Sequence, residues 1–240
     1  MKIALIGYGK MGKAIEEIAL ERGHEICVTF SSLNPLSVDK LKQSAPDVAI
    51  EFTQPNLAVS HIYTCTEASI PIVVGTTAWF DELKQVKEKV QQKSGSLIYA
   101  SNFSIGVNIF FKLNEILAKL MNNHREYAPS IEEIHHLQKL DAPSGTAVTL
   151  AEGMLQELEI FHEWKLTSDK ELSTTELPVT ATRLPEVPGT HSVKYESPID
   201  HIELKHEAKN RKGFALGAII AAEFIQSKKG IFTMSDVLNL

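Results

Sequence analysis

Cysteine is nearly absent: Cys27 and Cys65 are the only two in 240 residues, which rules out a disulfide framework. Each sits in an apolar-patterned segment and reads as a small core residue of a protein kept in a reducing compartment. No base stands beside either thiol in the sequence, so nucleophilic cysteine chemistry has no support. Hydrophobic runs are short as well. The longest, Phe214 to Ile225, covers about a dozen residues and falls short of a bilayer span. At the start, "MKIALIGYGKMG" is broken by glycines before a signal-peptide core can form, and the expected location is cytoplasmic. Basic residues do not dominate: 24 Lys and Arg against 30 Asp and Glu leave a formal charge of −6. That balance gives no reason to expect nucleic acid or an anionic membrane as a partner, although a basic pocket can sit inside an acidic protein. Internal repeats and low-complexity segments are missing too.

What remains is an ordinary globular composition, 43% apolar and 22% charged, in a chain long enough to bury a sizeable core. Lys2 to Ile6 reads as a buried parallel strand ending in glycine. Residues 10–22 place Met11, Ile15, Ile18 and Arg22 on one helical face, and Gly23 closes that helix. "HEICVTF" is a second strand. The alternation continues with strands at 47–52, 70–75 and 96–101, and with helices from Pro55 to Ala68 and from Phe80 to Gln92. Repeated βα units predict a doubly wound parallel sheet with helices on both faces. Past Asn102 the rhythm changes: a helix over 105–121, a strand near 130–136, a helix over 145–158 and a polar, irregular stretch over 162–176. "VTATRL", "HSVKYES" and "HIELKHEA" then read as strands in a mainly antiparallel arrangement. A buried helix, "GFALGAIIAAEFIQSKKG", packs back on the first domain. The predicted architecture is therefore α/β, a Rossmann-type domain of residues 1–103 plus 212–240 carrying an inserted α+β domain of mixed sheet, residues 104–211.

"GYGKMG" sets Gly7, Gly9 and Gly12 in G-x-G-x-x-G spacing, directly after a strand and opening a helix. Gly7 makes the tight turn, Gly9 lets backbone approach a pyrophosphate, and Gly12 allows close helix–strand packing. Tyr8, Lys10 and Met11 fill the loop. An acid after the second strand would favour NAD, but Ser31 and Ser32 stand there, so NADH and NADPH both remain open. Gly75, Thr76 and Thr77 follow one strand, and Ala100, Ser101, Asn102 and Phe103 follow another. Both groups lie at the carboxyl edge where ligands of open α/β sheets bind.

"EIHHLQKLDAPSGTA", residues 133–147, concentrates the remaining chemistry. A metal site built on His135, His136 and Asp141 is awkward, because neighbouring strand residues point to opposite faces and Lys139 repels a cation. An acid–base site fits better: a histidine exchanges protons near neutral pH, and a lysine both donates a proton and anchors a carboxylate. Ser144 is a natural N-cap, and the N–H groups of Gly145 and Thr146 can face an anion.

These segments, with "EFTQP", "GTTAW", "SNFSIGVN", "RLPEVPGTHSV" and "HEAKNRKGFALGA", resemble the dihydrodipicolinate reductase family in its own order and over nearly the whole chain. "HHxxKxDAPSGTA" is highly specific to it. The resemblance implies that His135 is the catalytic proton donor or acceptor and Lys139 the proton donor. It implies that His136, Ser144, Gly145 and Thr146, with Thr77 and Arg211, bind the substrate, a small cyclic dicarboxylate. Phe52, Thr77 and Ala100 to Phe103 would contact the cofactor, and the inserted sheet would build a homotetramer. Three departures stand out. The glycine loop is a residue shorter than the family often has, Ala78 replaces the glycine of "GTTG", and the acid after the second strand is missing. Two other readings are another nicotinamide oxidoreductase of amino-acid metabolism and a non-catalytic dinucleotide sensor.

Overall fold

The apolar run after Met1 forms strand β1 (Lys2–Ile6), and its alternation decides how the rest packs. Ile3 and Leu5 face one hydrophobic core while Ala4 and Ile6 face the other, as period-two geometry requires. The computed structural model describes residues 1–168, 172–210 and 212–240. It separates into two units, Met1–Ile105 with Lys212–Leu240, and Gly106–Arg211.

In the first unit the chain continues through α1 (Lys10–Glu21), β2 (Glu25–Phe30), α2 (Val38–Ser44), β3 (Val48–Glu51) and α3 (Pro55–Glu67). It then runs through β4 (Ile72–Val74), a 3₁₀ turn (Phe80–Glu82), α4 (Leu83–Gln92) and β5 (Ser96–Tyr99). Pro55 opens α3 at its first turn, where a missing N–H costs nothing. The second unit comprises α5 (Ile105–Met121), β6 (Ala128–His135), α6 (Gly145–Glu157), β7 (Glu163–Leu166), β8 (Glu176–Arg183), β9 (Thr190–Glu196) and β10 (His201–Glu207). The chain then re-enters the first unit as α7 (Lys212–Ile225), β11 (Gly230–Phe232) and α8 (Met234–Leu238).

The first unit's sheet is parallel throughout, in the order β11-β5-β4-β3-β1-β2. The order of connection reverses at β1, with β2 on one side of it and β3 on the other, all running in the same direction. That reversal leaves a crevice at the carboxyl ends of β1 and β3. Helix α7 is rich in alanine and glycine, and Gly217 shows why. A Cβ there would stand 1.7 Å from the Phe103 carbonyl oxygen, so only glycine lets the helix lie against that strand exit.

The second sheet runs β10-β9-β6-β8-β7. It is a mixed sheet, as expected, with a parallel half that the strand-and-turn pattern of its last three strands did not announce. β6 pairs antiparallel with β9, and β9 with β10, but β6 with β8 and β7 with β8 are parallel. Helix α6 carries the chain over from β6 to β7, and such a crossover returns strands in the same direction. Strand β7 itself lies inside the stretch expected to be irregular; it is a four-residue edge strand with too little alternation to be read. Strand β8 also starts before Pro178. The proline is tolerated because β6 pairs with β8 only from Val179 onward. The expected last helix ends at Ile225, earlier than its reading to Gly230; β11 and α8 follow it, and the capping box of Thr233 and Asp236 starts α8.

Among the described residues no helix is long and apolar enough to cross a membrane.

Candidate active site

Three strand exits of the first unit interlock through glycine. Gly7 has φ +94°, and a Cβ there would meet the Phe52 carbonyl oxygen at 2.1 Å. Beneath it, a Cβ at Gly12 would lie 2.3 Å from the Gly7 oxygen, and one at Gly75 would lie 2.1 Å from the Phe52 ring. Gly9 differs, since a Cβ there meets nothing within 4 Å. It is the N-cap of α1, and no side chain caps that helix. An open glycine at an uncapped helix start presents N–H donors and a favourable dipole to an anion.

Beside this loop opens a cavity of about 700 Å³, bordered by Gly7, Tyr8, Gly9, Ser31, Ser32 and Phe52. Ser31 and Asn34 exchange backbone hydrogen bonds of 3.0 and 3.1 Å, which turns the chain at the end of β2. Its described lining holds no aspartate, glutamate, lysine or arginine. Lys10 is exposed and Met11 half-buried on the first turn of α1. Thr76 Oγ1 accepts the Thr53 N–H at 2.8 Å, and Trp79 Nε1 donates to the Thr76 carbonyl at 2.7 Å, leaving Thr77 exposed. After β5 come half-buried Ala100 and exposed Ser101, and then Asn102 Oδ1 accepts the Ser104 N–H at 2.8 Å. Phe103 is buried, its ring centroid 5.9 Å from that of Phe52. Glycines that a Cβ would block, an open helix start and a cavity of this size all fit a dinucleotide.

The second unit gathers its polar groups at the carboxyl end of β6. Glu133 is fully buried. Its two oxygens accept the Ser144 N–H at 3.1 and 3.0 Å and the Arg183 Nη2 donor at 3.1 Å. His135 Nδ1 lies 3.5 Å away and His191 Nε2 3.6 Å away. The ring centroids of these two histidines are 5.0 Å apart, edge to face. Ser144 caps α6, accepting the Ala147 N–H at 3.3 Å, and its hydroxyl meets His191 Nε2 at 3.1 Å. A Cβ at Gly145 would meet nothing within 4 Å, so this helix start is open on that side. Lys139 Nζ holds both Asp141 oxygens at 2.9 Å. His136 is half-buried, and its Nδ1 has no hydrogen-bond partner.

Burial pushes His135 down to about 4, since Glu133 only partly offsets the desolvation and His191, Lys139 and Arg183 add to it. The imidazole is therefore neutral at physiological pH. The folded pKa lies below its ordinary 6.5, so stability is retained above pH 6.5 and lost as pH falls toward 4. For Glu133, burial alone would raise the carboxyl. Hydrogen bonds from His191 and Ser144, with the neighbouring His135, outweigh it and hold the group at about 2.

Among the described residues one trio, Glu133, His135 and His191, has ligand atoms within 4.8 Å of one another. It differs from the trio considered in the sequence. The chemistry of its surroundings disfavours an ion: the Arg183 guanidinium already occupies Glu133, and both carboxylate oxygens are engaged by Ser144.

Both units match family models. Residues 1–103 match the dihydrodipicolinate reductase N-terminus and residues 106–238 its C-terminus. The chain belongs to the dihydrodipicolinate reductase family. It is a nicotinamide-dependent reductase of the Rossmann type. A 4-hydroxy-tetrahydrodipicolinate reductase of Christiangramia forsetii is 49% identical, covering 100% of this chain and 98% of its own length. One from Thermosipho africanus is 32% identical over 100% and 98% respectively. Among solved structures, a dipicolinate-bound dihydrodipicolinate reductase from Paenisporosarcina sp. TG-14 shares the fold at a TM-score of 0.80. It is 24% identical and covers 97% of each chain.

The family resemblance pointed to the 133–147 stretch but not to three groups that meet it: Arg183 on β8, and Gly189 and His191 at β9. A Cβ on Gly189, whose φ is +157°, would come within 3.0 Å of His135 Nε2. Arg183 and His191 lie within "RLPEVPGTHSV", so the signal was present without a role attached to it. Arg211 lies outside the described residues.

Ala78, where the family's "GTTG" has glycine, sits at φ +60°. An L side chain in that region costs about 1–2 kcal/mol, and glycine recovers this less its own entropy of about 0.5–1 kcal/mol. Ala78→Gly is expected to raise unfolding free energy by up to about 1 kcal/mol. Urea unfolding measures it, and a destabilised variant would show that the turn prefers its methyl group.

Proposed function

We propose that this chain reduces 4-hydroxy-tetrahydrodipicolinate to tetrahydrodipicolinate with NADH or NADPH, a step of lysine and diaminopimelate biosynthesis. The observation that carries this reading is the meeting of His135, the Lys139 loop and the start of α6 in a unit that matches the family over its full span. The reduced nicotinamide supplies hydride to the ring when bound. Gly7, Gly9 and Gly12 hold its pyrophosphate at the α1 terminus, with Gly75 to Thr77 and Ala100 to Phe103 along the same sheet edge. Lys139 carries the proton that the ring takes up. His135, neutral in its buried pocket, takes the ring C–H proton and returns it to the substrate hydroxyl, which departs as water. His136, Ser144, Gly145 and Thr146 neutralise the carboxylates, where partial positive charge at the helix start strengthens binding. Thr77 and Arg211 complete substrate binding.

The cavity's serines can hydrogen-bond to a ribose hydroxyl or donate to a phosphate, and no acid in the described lining repels a 2′-phosphate. Both cofactors are therefore expected to serve, with efficiencies within about tenfold, or 1.4 kcal/mol, of each other. The helix-covered sheet of the second unit leaves its opposite face, with Glu132 and Lys194 paired at 2.6 Å, for a homotetramer interface. Sedimentation velocity at a tetramer's mass supports that assembly; a monomer would refute it.

The deciding experiment follows NADH and NADPH oxidation with substrate formed in situ from pyruvate and aspartate semialdehyde by the preceding synthase. Consumption that needs the synthase supports the reductase. Nucleotide binding without turnover supports the sensor reading, and turnover only on another substrate supports a different oxidoreductase.

A further inference from the structure

Glu133 and Arg183 stand 50 residues apart in the chain and meet because β6 and β8 pair in parallel register, His135 opposite Arg183. The ion pair is 3.1 Å long, with the carboxylate fully buried and the guanidinium 19% exposed. The remaining contacts of Arg183 are specific. Its Nε donates to the Lys139 carbonyl at 3.3 Å, Nη2 also to the Asp141 carbonyl at 2.6 Å, and Nη1 to the Thr182 carbonyl at 3.0 Å. With the bond to Glu133 these use four of the guanidinium's five N–H groups. So saturated a side chain is committed to holding the protein, not to gripping a ligand. Glu133, for its part, takes the Ser144 N–H on both oxygens and so holds the N-cap of α6.

The loop between β6 and α6 is thus gripped at its middle and at its far end by one buried pair. Arg183 holds the backbone at Lys139 and Asp141, and Glu133 holds it at Ser144. Every group assigned above to proton donation or carboxylate binding in this unit lies on that loop or at its far edge. We infer that Glu133 and Arg183 are positioning residues that set Lys139 and the start of α6 for the reaction. The inference rests on the function proposed above. Lysine cannot replace Arg183, because an ammonium has no planar fork to span a carboxylate and two carbonyls at once. Both residues belong to the second unit, and the dinucleotide loop belongs to the first.

The test uses the full-length enzyme, with Arg183→Lys, which keeps the buried positive charge, and Glu133→Gln, which keeps the side chain's shape. Thermal unfolding and NAD(P)H affinity are measured on each to establish that folded protein is assayed. Misplacing a proton donor by about 1 Å costs on the order of a hundredfold. Each variant is expected to lose kcat to that extent and to raise substrate KM, with cofactor Kd unchanged. The decisive readout is a double-mutant cycle. In the Lys139→Ala background, Arg183→Lys is expected to lower kcat by less than about threefold, because the group it positions is gone. Full multiplication of the two losses, or wild-type kcat and KM in Arg183→Lys and Glu133→Gln, overturns the inference. If Lys139→Ala alone leaves kcat intact, the proposed function's proton donor is what fails, and the two failures are distinguishable.

Discussion

Replacing Lys139 by alanine, or His135 by glutamine, lowers kcat by a factor on the order of 10²–10⁴, the usual worth of a positioned acid or base. Cofactor affinity stays near wild type in both. The separation is expected because these residues occupy the second unit, whereas the glycine loop, the Ser31–Asn34 turn and the cavity beside them belong to the first. The two variants should nonetheless differ in character. Lys139 is tied to Asp141 through both carboxylate oxygens, so its loss also frees an exposed acid beside the substrate carboxylates. That repulsion raises substrate KM in Lys139→Ala. Glutamine at 135 retains a hydrogen-bonding amide but cannot take up a proton, so its loss falls mainly on kcat. Stopped-flow oxidation of NAD(P)H under single-turnover conditions, with a separate fluorescence titration for Kd, reads both quantities. Loss of cofactor binding in either variant would sink the assigned roles.

Gly12→Val produces the opposite pattern. A Cβ at this position would sit 2.3 Å from the Gly7 carbonyl oxygen, and valine adds two methyl groups to it. The helix must move off β1 or the Gly7 peptide must rotate, and either displaces the N–H groups at the start of α1. Gly7 cannot absorb the strain, because its own Cβ position is filled by the Phe52 carbonyl. Cofactor affinity is expected to fall at least a hundredfold, and stability by about 1–3 kcal/mol from overpacking. Fluorescence titration and urea unfolding measure the two effects on one sample. An unchanged Kd would remove the glycine loop from the cofactor site.

The first unit was legible because its signals are local. A buried strand, a glycine at each required turn and a helix of period 3.6 follow one another within thirty residues, and parallel βα units admit few topologies. The start of α6 was legible for the same reason: Ser144 caps the helix that follows it, and cap and helix are neighbours in sequence. The second sheet was less so. Its antiparallel half shows in alternating strands separated by turns, but a parallel return through α6 has no local mark, and β7 is too short to show a period.

Glu132 and Glu133 show where sequence stops deciding. The pair "EE" inside a strand specifies that one side chain points to each face, since successive residues alternate. It does not specify which face becomes the interior. Helices α5 and α6 cover the face that Glu133 shares with Ile131 and His135, so its charge is buried and must find Arg183 and Ser144. Glu132 faces the other way, half-exposed, and pairs with Lys194. The sequence by itself determined the glycine turns of the first unit and the capped start of α6, because each depends on neighbours a few positions away. Only the tertiary structure decided which glutamate anchors the site and which arginine answers it, because that choice rests on strand register across 50 residues and on the cost of leaving a buried charge unpaired.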